Sequence, residues 1–434
     1  LITVACSDSQ SPQVNTTSGE KSAREMSGEG TVTMITNARI HAFDEDNRSF
    51  DRGAMAFDEH GEILSVGDQD QLLRQYPSAR RVDLDEKTVL PGLIDSHGHL
   101  YGLAVSYPRA NLVGARSKAE ALDRLREFEA TLPDGEWLLG RGWDQNDWPE
   151  QEFPDRGDLD AVFPERPVWL RRIDGHAAWA NSAAIAQADS DLGGDWQVEG
   201  GHIYRDDSGR PTGIFIDGAM QYIEDAVPEI SPDLVDSALD VAIHDLVSLG
   251  LTGVHDPGVD RGIVKLYQRK IRQGKFPLRV YAMADGMQES TDWLCSNGTV
   301  EDPSGRLFMR SVKLYADGAL GSRGAALLDD YSDDAGNRGL MFMNAEALQE
   351  SLEQVFSCGL QTGVHAIGDA ANRQVLDAYE QALSEYPDNP GRHRVEHAQI
   401  LDPADIPRFT ERGVIAALQP IHATSDMYWA GERL

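Results

Sequence analysis

Apolar positions along the chain follow two rhythms. In the first part, short β-rich runs at residues 31–40, 54–57 and 62–66 are separated by polar stretches, and Asp58-Glu59-His60-Gly61 has the composition of a hairpin turn between the last two. A further run at residues 81–90 leads into Pro91-Gly92, so residues 31–90 predict part of a small sheet domain. Beyond Pro91, strand-like runs that end in polar residues alternate with helical stretches, the mark of repeated βα units around a parallel sheet. Three helices have clear limits. Ser117-Lys118-Ala119-Glu120 forms a capping box before a run of helix formers. Ser231-Pro232 opens a second helix that carries Leu234, Val235, Leu239, Ile243 and Leu246 at helical spacing and stops at Gly250. Asn344 caps a third, which runs through Leu348, Leu352, Val355 and Phe356 to Gly359. Strand-like runs at residues 251–255 and 360–365 follow the last two directly. Residues 132–220 break the rhythm with many Trp, Pro, Asp and Gly, and predict a large, irregular insertion after the first barrel strand, placed to shape a pocket or lid.

Charge narrows the partners. Against 39 Lys plus Arg stand 72 Asp plus Glu, a formal net charge of −33. Such a surface repels phosphate backbones and anionic lipid headgroups, so no nucleic acid and no basic membrane-binding patch are expected. With 41% hydrophobic residues over 434 positions, the chain is long enough for one large folded domain and a smaller companion. It has no run of about 18 apolar residues. Three cysteines, Cys6, Cys295 and Cys358, do not make a disulfide framework and allow either redox compartment.

Residues 1–30 read as a disordered tail. Leu1-Ile2-Thr3-Val4-Ala5-Cys6-Ser7 resembles the end of a bacterial lipoprotein signal, with Thr3 where Leu is usual, and the polar residues 7–30 suit a flexible tether. The expectation is a lipid anchor at Cys6 and a periplasmic or outer-face location. The alternative is an incidental cysteine in a tail, with a cytoplasmic chain.

The strongest chemical signal is Leu90-Pro91-Gly92-Leu93-Ile94-Asp95-Ser96-His97-Gly98-His99. Residues two apart in a strand face one side, so His97 and His99 can address one metal ion, with Gly98 leaving room for it. Imidazole suits Zn and similar divalent ions. This segment resembles the first-strand metal motif of the amidohydrolase superfamily, whose members are distorted (β/α)8 TIM barrels beside a small β-sandwich. The resemblance implies that residues 31–90 are the N-terminal part of that sandwich and residues 91–434 the barrel. In the dinuclear branch, later strands supply a lysine and two histidines in turn, and Lys313, His365 and His397 occur in that order. The strand count agrees: His97 and His99 end strand one, residues 252–255 fit strand two, 278–284 strand three, Lys313 strand four, His365 strand five, His397 strand six and 414–419 strand seven. The words around Arg171-Arg172-Ile173-Asp174-Gly175-His176, Lys313-Leu314-Tyr315-Ala316-Asp317-Gly318 and His365-Ala366-Ile367-Gly368-Asp369 resemble the amidohydrolase 3 group, which includes N-substituted formamide deformylases.

By that resemblance, His97, His99, Lys313, His365 and His397 hold two divalent metal ions, most simply Zn, with Lys313 carboxylated to a bridging carbamate; an unmodified Lys313 beside a single metal is the alternative. Such a pair of cations activates a water to hydroxide near neutral pH and polarises a substrate carbonyl. Lys313, His365 and His397 are the catalytic candidates, and His176, Trp143, Asp144, Asp317 and His255 the substrate-binding candidates. The family also uses an aspartate after strand eight to move the proton. Few residues follow position 419, so the expectation is a chain that lacks strand eight and is nearly inactive as given. The leading function is hydrolysis of a C–N bond, amide or formamide, in a small molecule. Alternatives are a catalytically inactive barrel that binds small molecules outside the cytoplasm, and a ring deaminase, which the strand-four lysine counts against.

Overall fold

The computed structural model describes residues 31–389 and 391–434; the tail with Cys6 lies outside the described residues. The described residues divide into two compact units on either side of the Pro91–Gly92 bond.

In the first unit, β1 (Thr33–His41), β2 (Ser49–Phe57) and β3 (Ile63–Asp68) form an antiparallel meander, and β4 (Arg80–Asp83) and β5 (Thr88–Val89) pair in parallel with β1. The turn at Asp58 closes as the pattern predicts, with the Asp58 N–H donating to the Glu62 carbonyl at 3.0 Å. Met34, Ala54, Ala56 and Leu72 form its buried core, the last on a helix, Gln69–Gln75, that the pattern did not suggest. The expected strand at 81–90 is two strands, because Asp85 and Glu86 adopt positive φ (50° and 59°) and turn the chain between them. The sandwich expected here is one five-stranded sheet among the described residues.

The second unit holds two sheets. Between β6 (Leu93–Asp95), the first strand of the barrel, and the rest of the barrel the chain forms β7 (Ala110–Asn111), β8 (Leu138–Trp143), β9 (Val168–Arg172), β10 (Ala177–Ala180), β11 (Gly201–Arg205) and β12 (Pro211–Asp217), and these six make a mixed sheet of their own, ordered β11-β12-β10-β9-β8-β7. The expected irregular insertion is therefore a folded layer. Its short strands alternate with loops, and tryptophans fill its core: Trp143, Trp148 and Trp179 pack within 6.1–6.4 Å of one another.

The other sheet is the barrel wall. After β6 come β13 (Leu251–Val259), β14 (Arg279–Ala284), β15 (Val300–Glu301), β16 (Leu307–Tyr315), β17 (Gln361–Ala366), β18 (Arg394–His397) and β19 (Ile415–Ala417). Seven of these are parallel neighbours in the order β6-β13-β14-β16-β17-β18-β19, and β15 adds antiparallel to β16. Helices Pro232–Ser248, Arg261–Arg272, Ala345–Ser357 and Asp369–Glu385 connect successive strands and bury one apolar face each, as their spacing requires. The caps at Ser117, Ser231 and Asn344 are present, each side-chain oxygen accepting from a backbone N–H three residues on. One cross-link departs from the sequence reading: Cys295 and Cys358, on the helices Gln288–Asn297 and just after Ala345–Ser357, are joined as a disulfide.

Candidate active site

A cavity of about 1040 Å³ opens at the C-terminal ends of the barrel strands, and His97, His99, Lys313, His365 and His397 all line it. The first two do not end a strand as expected. β6 stops at Asp95, whose Oδ1 accepts the His97 N–H at 2.9 Å, and the Gly98 N–H donates to the His255 carbonyl at 2.9 Å, so the two histidines sit on a tight turn. A side chain at Gly98 would place its Cβ 2.8 Å from Asp95 Oδ2, which is why glycine stands between them. Lys313 and His365 lie near the C-terminal ends of β16 and β17, both buried. His397 ends β18 at φ +76°, a conformation that turns its ring off the strand direction, and its Nδ1 meets Gln419 Oε1 at 2.6 Å.

The rings form a continuous group. Centroids of His97 and His99 are 5.2 Å apart, those of His97 and His397 4.7 Å, and those of His397 and His365 4.5 Å. Burial holds all four below the usual histidine range, aided by Lys313; His99 lies at about 3, and His365 and His397 are pushed well down. Neutral imidazole is the form that ligates a metal. Burial also lowers Lys313, to about 8, although nearby Glu396 favours its charge. No carboxylate lies within 4.0 Å of Lys313 among the described residues, and its Nζ stands 4.8 Å over the Tyr315 ring.

The residues fit a divalent metal by donor chemistry. His97 Nδ1 is held by Glu396 Oε2 at 2.5 Å, which leaves Nε2 buried with no hydrogen-bond partner. His99 Nδ1 likewise faces the Pro257 carbonyl at 3.1 Å. Fixing one ring nitrogen and freeing the other is how a ligating imidazole is oriented. Among the described residues no three His, Cys, Asp or Glu side chains already converge on one point.

Glu396 escaped the sequence reading. It is fully buried and joined to Arg394, Nε to Oε1 at 2.6 Å; Arg394 also donates to the Ser96 carbonyl at 2.8 Å. Alternation along β18 puts Arg394 and Glu396 on one face, a signal present in Arg394-Val395-Glu396-His397 itself. Burial pushes the Glu396 carboxyl up, but the His97 hydrogen bond, Lys313 and Arg394 outweigh it and hold it low.

The substrate-binding candidates divide. His176 lines the cavity, 5.2 Å from the His365 ring, with Nδ1 on Asp217 Oδ1 at 2.6 Å; burial opposes its charge, yet Asp217 holds its proton on. Trp143 does not reach the cavity: it is core, and its Nε1 donates to the Leu170 carbonyl at 2.8 Å. Asp144 is engaged by buried Arg172 and caps the turn at Gln145–Asp147. Asp317 is wholly buried and accepts the backbone N–H groups of Ala326, Ile367 and Gly368 at 2.8–2.9 Å, so it braces two loops. His255 packs on Tyr281 and its Nδ1 meets Arg394 at 2.7 Å, one layer behind the site.

The amidohydrolase family matches residues 80–434. A Bacillus subtilis (strain 168) protein named "Putative amidohydrolase YtcJ" is 35% identical over 394 residues, which cover 88% of this chain and 72% of that one. The N-substituted formamide deformylase of Arthrobacter pascens is 28% identical, over 89% of this chain and 72% of its own. Among solved structures, an uncharacterized metal-dependent hydrolase from Pyrococcus furiosus superposes with a TM-score of 0.69 at 29% identity, over 93% of this chain and 80% of that one. Histidines and a lysine gathered at one end of a parallel barrel sheet agree with these likenesses in supporting a hydrolase that needs a divalent metal, and the chain belongs to the amidohydrolase family.

Proposed function

We propose that this chain hydrolyses a C–N bond, amide or formamide, of a small molecule at a site of two divalent ions, most simply Zn, held by His97, His99, His365, His397 and a carboxylated Lys313. The observation that carries this reading is the buried, partnerless Nε2 of His97 beside three further neutral histidines on one cavity. The bound metals supply an activated water and polarise the scissile carbonyl. Glu396 keeps His97 oriented, and Gln419 does the same for His397. His176, with Nδ1 engaged by Asp217, keeps Nε2 as the ring nitrogen that can donate to the carbonyl oxygen as it gains charge. The A. pascens relative's name supports formamides as the first substrates to try. Lys313 has no carboxylate partner and lies buried, which suits an amine that becomes an anionic carbamate. The Cys295–Cys358 disulfide supports an oxidising compartment.

The test is turnover of a panel of N-substituted formamides and acetamides by Zn-reconstituted protein, both this chain and any longer product that contains it, with release of amine as the readout. Amine release that a chelator abolishes and Zn restores is expected. Release of ammonia from ring amidines instead, or none from any substrate with both metals bound, would overturn the assignment.

A further inference from the structure

The insertion sheet carries an unusual row of charge. In the parallel register of β8 and β9, Arg141 stands directly opposite Arg171, so both side chains leave the same face of the sheet. β7 continues the row: Asn111 is opposite Arg141, and Arg109 lies two residues before Asn111. All three arginines line the cavity that holds the histidines. Like charges directly opposite one another destabilise a sheet, and a chain with a net charge of −33 has acids in plenty to neutralise them.

Most acids on this wall already have partners, Glu224 within the row itself. Glu224 pairs with Arg171 at 3.0 Å, Asp174 with Arg172 at 2.6 Å, and Asp217 with His176 at 2.6 Å. Arg109 and Arg141 have no carboxylate within 4.0 Å among the described residues, while Glu199 also lines the cavity without an ion-pair partner. Arg141 donates once, to the Ile173 carbonyl at 3.1 Å, and Arg109 Nε is buried with no partner. Burial first, then Arg171 and, for Arg109, Arg141, lower both guanidiniums, while Glu224 opposes the shift at Arg109 and Asp174 that at Arg141. Unpaired guanidinium forks on a cavity wall bind oxyanions well, because their donors match two oxygens at once.

We infer that the substrate of this hydrolase carries an anionic oxygen group, carboxylate or phosphate, and that Arg109 and Arg141, backed by Arg171, seat it while the C–N bond faces the histidines. This rests on the hydrolytic reading above and names the class of molecule it acts on. It also separates this site from one built for a wholly neutral formamide.

The test is calorimetric binding of three probes to the full chain: N-formylglycine, its neutral carboxamide, and N-formyl-O-phosphoethanolamine. Each is measured on chelator-treated and on Zn-loaded protein. A charge-assisted hydrogen-bond pair predicts that an anionic probe binds roughly 10–100-fold tighter than the neutral one, with or without metal. The tighter of the two anions then names the group. Arg109→Gln and Arg141→Gln each erase most of that preference, and Arg141→Lys keeps part of it. Equal affinity for charged and neutral probes, or a preference seen only with metal present, overturns the inference even if turnover is normal. An intact preference in a protein that never releases amine upholds it and counts against the hydrolytic reading alone.

Discussion

Glu396→Gln is the perturbation that separates support of the site from general packing. Glu396 is wholly buried, and its two oxygens serve His97 Nδ1 at 2.5 Å and Arg394 Nε at 2.6 Å. Gln keeps the shape but loses the charge, and its amide NH2 cannot accept from either partner. Leaving the buried Arg394 without its anion costs about 3–5 kcal/mol. Loss of the hydrogen bond that orients His97 lowers metal affinity by roughly 10–100-fold. Urea unfolding at pH 7 gives the first figure, and Zn titration against a competing chelator the second. The pH dependence has a definite sign. His97, Lys313 and Arg394 hold the Glu396 carboxyl below its ordinary value despite burial. Its stabilisation is therefore complete above the unfolded value of about 4.3 and is lost as the pH falls through the folded value. The gap between wild type and variant holds from neutral pH downward and closes in that acid window. A variant with the wild-type urea midpoint and unchanged Zn affinity would refute the role given to Glu396.

Three other outcomes follow from particular contacts. Trp143→Ala lowers stability by about 3–5 kcal/mol in urea unfolding and leaves KM unchanged, because the ring is core and not cavity wall. His176→Gln lowers kcat by roughly 100-fold in the amine-release assay with little change in metal content, as loss of a single oxyanion donor does. Cys295→Ser with Cys358→Ser loses about 4 kcal/mol of stability under oxidising conditions, from the chain entropy of a loop of 63 residues; equal midpoints with and without reductant would show that the bond does not form.

Much of the candidate site is legible in the sequence because barrel strands bring distant residues to one end in chain order. His97, His99, Lys313, His365 and His397 span three hundred residues or so, yet each lies in or just after an apolar run whose end faces the cavity. The strand break at Asp85 was hidden because residues 81–90 contain no glycine or proline to mark a positive φ. The insertion looks irregular because its strands are short, Ala177–Ala180 the shortest of those within residues 132–220, and long connections separate several neighbours in the order β11-β12-β10-β9-β8-β7. For the same reason the arginine row could not be seen: Arg109, Arg141 and Arg171 become neighbours only through the register of β7, β8 and β9. Trp143 and Asp144 had the right composition for a pocket, but tryptophan serves a core equally well and Arg172 claims the aspartate. Glu396 was passed over because a carboxylate behind a histidine has no sequence mark of its own beyond the alternation of β18.

Elemental analysis of protein reconstituted with Zn and bicarbonate decides whether the four histidines and Lys313 form one metal centre. About two Zn per chain are expected, falling when His365 or Lys313 is replaced by alanine, with the mass increase of a carbamate on Lys313 in the native protein. A chain that binds no divalent metal, or binds it equally well without His97, His99, His365 and His397, has no such centre.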